Sequence, residues 1–221
     1  METNIYKIDP WEIIEEGWDP GKVIGSESIF SIGNGAMGQR ANFEEDFSGK
    51  TFKGSYIGGI YYPDKTKVGW WKNGYPEYFA KVINAPSWIG ISILIDGIPL
   101  DLNKVDKIEK FERKLDMKNG LYERSISINT NNNLKVEIDS KRFLSMKRKH
   151  IGAISYSIKC SRDVKITLSP YIDFDVSNDD SNWDEKFWET TEKINTLNKS
   201  LVKSKVKKTG FKVITYMKAD L

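Results

Sequence analysis

The sequence predicts an all-β protein, a two-layer antiparallel β-sandwich with one or two short helices. Three observations point there: apolar and polar residues alternate in run after run, turn-forming dipeptides separate the runs, and helical periodicity is scarce. Successive side chains of a strand face opposite ways, so each alternating run offers one face to a core and one to water. Two such sheets bury their apolar faces against each other.

The elements follow in order along the chain. Residues 10–14 (PWEII) read as a short turn or an entering strand, and 28–32 (SIFSI) as a strand. Asp96-Gly97 divides the apolar run 88–95 from 98–100, and Asn119-Gly120 divides 111–117 from 121–128. Both dipeptides favour the positive φ of tight hairpin turns. Clean alternation marks 125–129, 134–139, 154–159 and 165–169. The best helical signal is 183–194 (WDEKFWETTEKI), with acids near its start, although Thr190-Thr191 limits it to one or two turns. Near the end, 201–206 and 211–217 flank Lys207-Lys208-Thr209-Gly210 as a last hairpin.

Composition bounds what this fold can do. The 221 residues are 39% hydrophobic and 12% aromatic, with seven Trp, enough for a substantial core. Thirty-four basic against thirty-one acidic residues leave a net charge of +3, which is no nucleic-acid footprint. No apolar run is long enough for a membrane span. One Cys (Cys160) and one His (His150) exclude a disulfide framework and a Cys/His metal cluster. The charged first eighteen residues contain no signal-peptide core, and the lone thiol suits a reducing compartment, so a cytoplasmic location is expected. With no repeat and no Pro/Ser-rich linker, residues 1–221 read as one domain. Leu221 follows the last strand-like run so closely that a larger parent protein is expected.

Several motifs carry chemistry elsewhere and are weighed against blander roles. Gly33-Asn34-Gly35-Ala36-Met37-Gly38 has the G-x-G-x-x-G form of a dinucleotide site, but its acidic continuation through Glu44-Glu45 opens no amphipathic helix. A tight glycine turn between strands is the better reading. Aromatics at Tyr56, Tyr61, Tyr62, Trp70, Trp71, Tyr75, Tyr78 and Phe79 either stack on sugar rings or pack a loop and an interface, and the packing role is favoured. The acids Glu44, Glu45, Asp46, Asp173, Asp175, Asp179, Asp180, Asp184 and Glu185 are expected on the surface. His150 reads as structural, and Lys199, Lys203, Lys205, Lys207 and Lys208 as a solvated hairpin guarding a sheet edge.

A family resemblance goes further. The stretch 28–45, with Asn34, Gly35, Gly38, Arg40, Glu44 and Glu45 in the pattern N-G-x-x-G-x-R-x-x-x-E-E, resembles the opening of the N-terminal domain of glycoside hydrolase family 65. That family includes maltose, trehalose and kojibiose phosphorylases. Residues 82–88 (VINAPSW), 111–121 (FERKLDMKNGL) with Arg124, and 142–146 (RFLSM) with His150 are similar to further family segments in the same order. Ala36, Met37 and Ala41 depart from the usual pattern.

The resemblance implies a galactose-mutarotase-like super-sandwich, followed in the parent enzyme by a helical linker, an (α/α)6 catalytic barrel and a small C-terminal sheet domain. The general acid and the phosphate-binding residues of such enzymes lie in the barrel, so no catalytic residue carries over to this chain. The expected parent cleaves an α-glucosyl disaccharide with inversion, using inorganic phosphate as co-substrate if it is a phosphorylase, and no cofactor or metal. Expected partners are the chain's own barrel, the disaccharide and a second copy in a homodimer. Trp183, Asp184 and Trp188 mark a loop that either contributes to the substrate-pocket rim or, in the favoured reading, is pinned to the domain by its two Trp. The alternative function is a stand-alone carbohydrate-binding module using Trp70 and Trp71. A mutarotase-like enzyme has only His150 for its acid/base work.

Overall fold

A computed structural model of the protein describes residues 6–67 and 74–220. In chain order its elements are β1 (Tyr6–Ile8), β2 (Glu12–Glu16), α1 (Val23–Ile29), β3 (Ile32–Gly33), β4 (Met37–Gln39) and β5 (Ser55–Ile57). Next come β6 (Tyr61–Lys65), β7 (Tyr78–Val82), β8 (Ser87–Ile95), β9 (Ile98–Pro99), β10 (Lys107–Asp116) and β11 (Leu121–Asn129). The last are β12 (Lys135–Leu144), β13 (Gly152–Cys160), β14 (Ile166–Asp173), β15 (Trp188–Asn195), β16 (Lys199–Val206) and β17 (Lys212–Lys218). Several antiparallel sheets and, among the described residues, one short helix make this the expected all-β, sandwich-type fold. Among the described residues no helix is long and apolar enough to cross a membrane.

The residues fall into two compact units, Met1–Lys53 with Ile91–Ser169, and Gly54–Gly90 with Pro170–Leu221. The first is built on a six-stranded antiparallel sheet ordered β1-β2-β10-β11-β12-β13. Its strands obey the period of two. In β12, Val136, Ile138, Ser140, Arg142 and Leu144 are buried while the residues between them turn outward. Ile91, Ile93 and Ile95 of β8, with Leu100, Leu102 and Phe43, close over Phe111, Ile126, Ile128, Val136 and Ile138 to form one core. Each such side chain contributes roughly 1.5–3 kcal/mol by leaving water. The second unit holds the β6–β7 hairpin and the sheet β15-β16-β17 around Tyr62, Ile83, Phe187, Trp188 and Val206.

The turns show which local signals held. Asp96 and Gly97 take φ of 50° and 81°, the two positive values of a type I′ turn, and join β8 directly to β9. The β10–β11 connection differs. It is a four-residue loop, 117–120, in which only Gly120 is left-handed (φ 64°) and the Asp116 carboxylate accepts the Asn119 N–H at 3.0 Å. The glycine-rich motif is the hairpin β3–β4, with Gly35 at φ 82° and the Asn34 N–H donating to the Met37 carbonyl at 3.1 Å, as a tight turn requires.

Three local expectations are corrected. The segment 183–194 is no helix: 183–187 is loop and Trp188 onward is β15, where the Thr190-Thr191 pair suits a pleated, half-buried surface. The one helix among the described residues, α1, takes Ser28 and Ile29 from the run 28–32 that reads as a strand, and only Ile32 of that run lies in a strand, β3. The helix buries Val23, Ser26 and Glu27, so two of its three inward residues are polar and hide its period. The Lys-rich hairpin does not present an edge through β16, which is paired on both sides, by β15 and by β17.

Gly90 sits where an added Cβ would lie 2.4–2.7 Å from ring atoms of Tyr171. Gly90→Ala is therefore expected to cost about 1–3 kcal/mol by overpacking, read as a lower urea midpoint with an unchanged m-value.

Candidate functional site

The loop singled out from the sequence lies in the second unit, and its anchor is Asp64. This carboxylate is fully buried, pairs with the Lys81 ammonium at 2.9 Å and accepts the Asn182 N–H at 2.9 Å. Burial alone would raise its pKa, but the Asn182 N–H and the Lys81 charge outweigh burial and hold it below the usual carboxylate range. Asn182 Nδ2 and the Trp183 indole N–H both donate to the Lys65 carbonyl, at 3.0 and 2.9 Å. Asp184 then turns the chain in the left-handed region (φ 55°), and the Glu185 N–H donates to Ser181 Oγ at 3.1 Å. Glu185 accepts the Tyr62 hydroxyl at 2.7 Å, and the Tyr62 ring stacks on Phe187 with centroids 4.1 Å apart.

The two tryptophans have different roles. Trp188 is 8% exposed, part of the second core, and its indole N–H donates to the Asn84 carbonyl at 2.5 Å. It pins the loop. Trp183 is 50% exposed: its polar edge is tied down, while the Lys67 ammonium stands 4.9 Å from the ring centroid. Such a ring is held in place yet keeps area for a ligand or partner to cover.

Glu44 and Glu45 of the sequence motif, expected on the surface, are buried. The register of the six-stranded sheet puts Glu15, Arg113, Arg124, Ser140 and Tyr156 in one row across five strands. Glu15 pairs with Arg113 at 2.5 Å, both buried. Arg113 and Arg124 would repel across the ladder, but Glu44 and Glu45 reach the row from above and each approaches Arg124 Nη2, at 2.7 and 2.6 Å. The Tyr156 hydroxyl donates to Glu45 at 2.6 Å, and Ser140 to Glu44 at 3.3 Å. Arg142 lies 3.7 Å from Glu44 and donates to the Asn42 carbonyl at 3.2 Å.

Burial drives the Glu44 pKa upward, yet Arg142 and Arg124 overcome it and leave the carboxyl below its usual value. Burial raises Tyr156 strongly, with the Glu45 charge adding to it. For Glu15 burial wins over Arg113, so its pKa is raised. The remaining motif residues are staples. Asn34 accepts the Ala36 and Met37 N–H groups and donates to the Ser145 and Lys149 carbonyls, at 2.8–3.1 Å. Arg40 donates to the Phe52 and Ile24 carbonyls at 2.7 and 3.0 Å.

Other sequence candidates are dispersed. His150 is exposed in the turn before β13. Tyr61 meets Phe211 edge-on, Tyr75 meets Phe79, and Trp70 and Trp71 lie outside the described residues. Sequence reasoning missed the Asp64–Lys81 pair and the buried Arg113–Arg124–Arg142 set. A signal was available for the arginines alone: extending the alternation of 125–129 and 134–139 by one or two steps places Arg124 and Arg142 on the inward face, and Arg113 stands inward on β10.

Comparison with known proteins finds relatives over most of the chain. A family model described as glycosyl hydrolase family 65, N-terminal domain, matches residues 13–221. A maltose phosphorylase of Bacillus subtilis is 46% identical over 86% of this chain and 25% of its own length. An alpha,alpha-trehalose phosphorylase of Thermoanaerobacter brockii is 34% identical over 79% of the chain and 23% of its own. Among solved structures, a putative kojibiose phosphorylase from human microbiome superposes with a TM-score of 0.86 at 30% identity, covering 98% of this chain and 28% of that one. The chain thus spans about a quarter of the length of these relatives.

Arg124→Met leaves Glu44 and Glu45 without their shared cation, and a loss of about 3–5 kcal/mol in urea unfolding is expected. Because Glu44 titrates below its usual 4.5 in the folded chain, its contribution is present above that pH and lost as pH falls through the depressed value. Stability of the wild type should therefore decline below about pH 4.5, with a shallower decline in Glu44→Gln, as thermal melts across pH would show.

Proposed function

The chain belongs to glycosyl hydrolase family 65 as its N-terminal domain, and on that premise we propose that it is the non-catalytic sandwich of a disaccharide phosphorylase or related hydrolase acting on an α-glucosyl disaccharide such as maltose. One observation carries this reading: the acids and arginines of the family-like motif are committed to one another inside the first unit. A general acid for glycosidic cleavage must reach the leaving oxygen, and Glu44 and Glu45, both nearly inaccessible and bound to Arg124, do not. Bond breaking then belongs to the further polypeptide that the relatives possess, the expected (α/α)6 barrel, with inorganic phosphate as co-substrate in a phosphorylase. Carbohydrate metabolism in the cytoplasm is the setting this implies.

In this reading the sandwich supports the barrel and a homodimer. The outer face of β15-β16-β17 suits such cover. Ile194, Ile214 and Tyr216 are 48%, 60% and 54% exposed there, and they surround the Lys203–Glu192 ion pair. Three large apolar side chains left in water on one face of a sheet, from β15 and β17 on either side of β16, mark an interface more readily than a free surface. We assign Trp183 and Asp184 to the pocket rim, the less favoured of the two sequence readings, because Trp183 has an open ring face to offer to a sugar.

Three measurements test this. The chain alone should release no glucose 1-phosphate from maltose and phosphate above background, and turnover by the purified chain would overturn the reading. Ile214→Asp with Tyr216→Asp should change stability of the isolated chain by less than about 0.5 kcal/mol per site, and lower the melting temperature or dimer content of the longer enzyme. Trp183→Ala in the longer enzyme should raise KM for the disaccharide about tenfold with stability unchanged, whereas a loss of stability alone would assign Trp183 to packing.

A further inference from the structure

The first unit contains a cavity of about 540 Å³ at the ends of its strands, within the size range of small-molecule sites. Its apolar side includes Ile95, Ile98, Leu100 and Leu134, and Ile98 is more than half exposed despite sitting in a hairpin wall. Its polar side brings together carboxylates, amides and cations from separate segments: Asp46, Asp96, Asp101, Asn131, Asn132, Lys104 and Arg162.

Some of these groups are already engaged in holding the cavity's shape. Asp101 accepts the Ser48 and Asn103 N–H groups at 3.1 and 2.9 Å and faces Lys104 at 3.3 Å. Asp96 accepts the Lys165 N–H at 2.8 Å from the left-handed turn position. Asn131, Asn132 and Arg162 have no side-chain partner among the described residues. The cavity thus has a shaped, hydrogen-bonded wall and three free polar groups beside apolar surface.

We propose that this cavity binds a neutral sugar of one or two rings. Three carboxylates against two cations disfavour an anion. The described residues contain no group of three His, Cys, Asp or Glu placed to hold a metal ion. Amides, carboxylates and a guanidinium beside an aliphatic wall match the alternating hydroxyls and C–H faces of a pyranose, for which both donors and acceptors are needed. The site lies wholly within the first unit and does not depend on where disaccharide cleavage occurs, so direct binding tests it apart from the enzymatic reading.

The test is a nuclear magnetic resonance titration of the full chain with glucose, maltose and, separately, inorganic phosphate. Saturable movement of the Asn131 and Asn132 side-chain amides and the Ile98 methyls by glucose or maltose, with dissociation constants near ~1 mM, is the expected result. Arg162→Ala and Asn132→Ala, both at exposed positions, should weaken binding about tenfold without altering the melting temperature. No movement at about 10 mM sugar overturns the proposal. So does movement caused by phosphate and not by sugar, or wild-type affinity in both variants.

Discussion

The buried row Glu15–Arg113–Arg124–Ser140–Tyr156, closed from above by Glu44 and Glu45, is the constraint on which the first unit depends. Three arginines lie within a sheet face that elsewhere carries Ile and Val, and each is at most 2% exposed. Desolvating a guanidinium costs several kcal/mol unless charge and hydrogen bonds offset it. The loop that follows β4 therefore has to deliver two adjacent glutamates to one place, and the register of four strand pairings has to hold. A one-residue slip of β10 or β11 would turn Arg113 or Arg124 to water and leave a glutamate buried without its cation, and a slip of β2 or β13 would turn Glu15 or Tyr156 out of the row.

The same constraint gives a motif rich in acids and glycine its structural partners. Gly35 permits the tight β3–β4 turn, Asn34 fastens that hairpin to the 145–149 segment, and Arg40 fastens the next stretch to the carbonyls of Ile24 and Phe52. With those fixed, Glu44-Glu45 arrives over Arg124. The whole motif is one assembly for positioning two carboxylates, and its spacing follows from the path of the chain between them.

The second unit works on a smaller scale by the same rule. Asp64 is buried on β6, and its two lone-pair partners, Lys81 and the Asn182 N–H, set the course of the 180–188 loop. Trp188 completes the core and Trp183 is left half open. A buried charge with few partners is a strong organiser because leaving it unpaired is so unfavourable.

Much was legible from sequence because period-two alternation is a local consequence of the pleat. Strands β11 to β14, the Asp96-Gly97 turn, the last hairpin and the glycine turn at 33–38 follow from residues only a few positions apart. The all-β class and the family resemblance rest on such local patterns. Tertiary structure alone decided which acids are buried, that 188–195 joins a sheet instead of coiling, and that α1 turns Ser26 and Glu27 inward. Each of those outcomes depends on partners far along the chain: Arg124 for Glu44, β16 for β15, and Thr51 and Phe52 for Glu27. A charge is stable in the interior only beside its counter-charge, and adjacency in space is what a linear pattern does not encode.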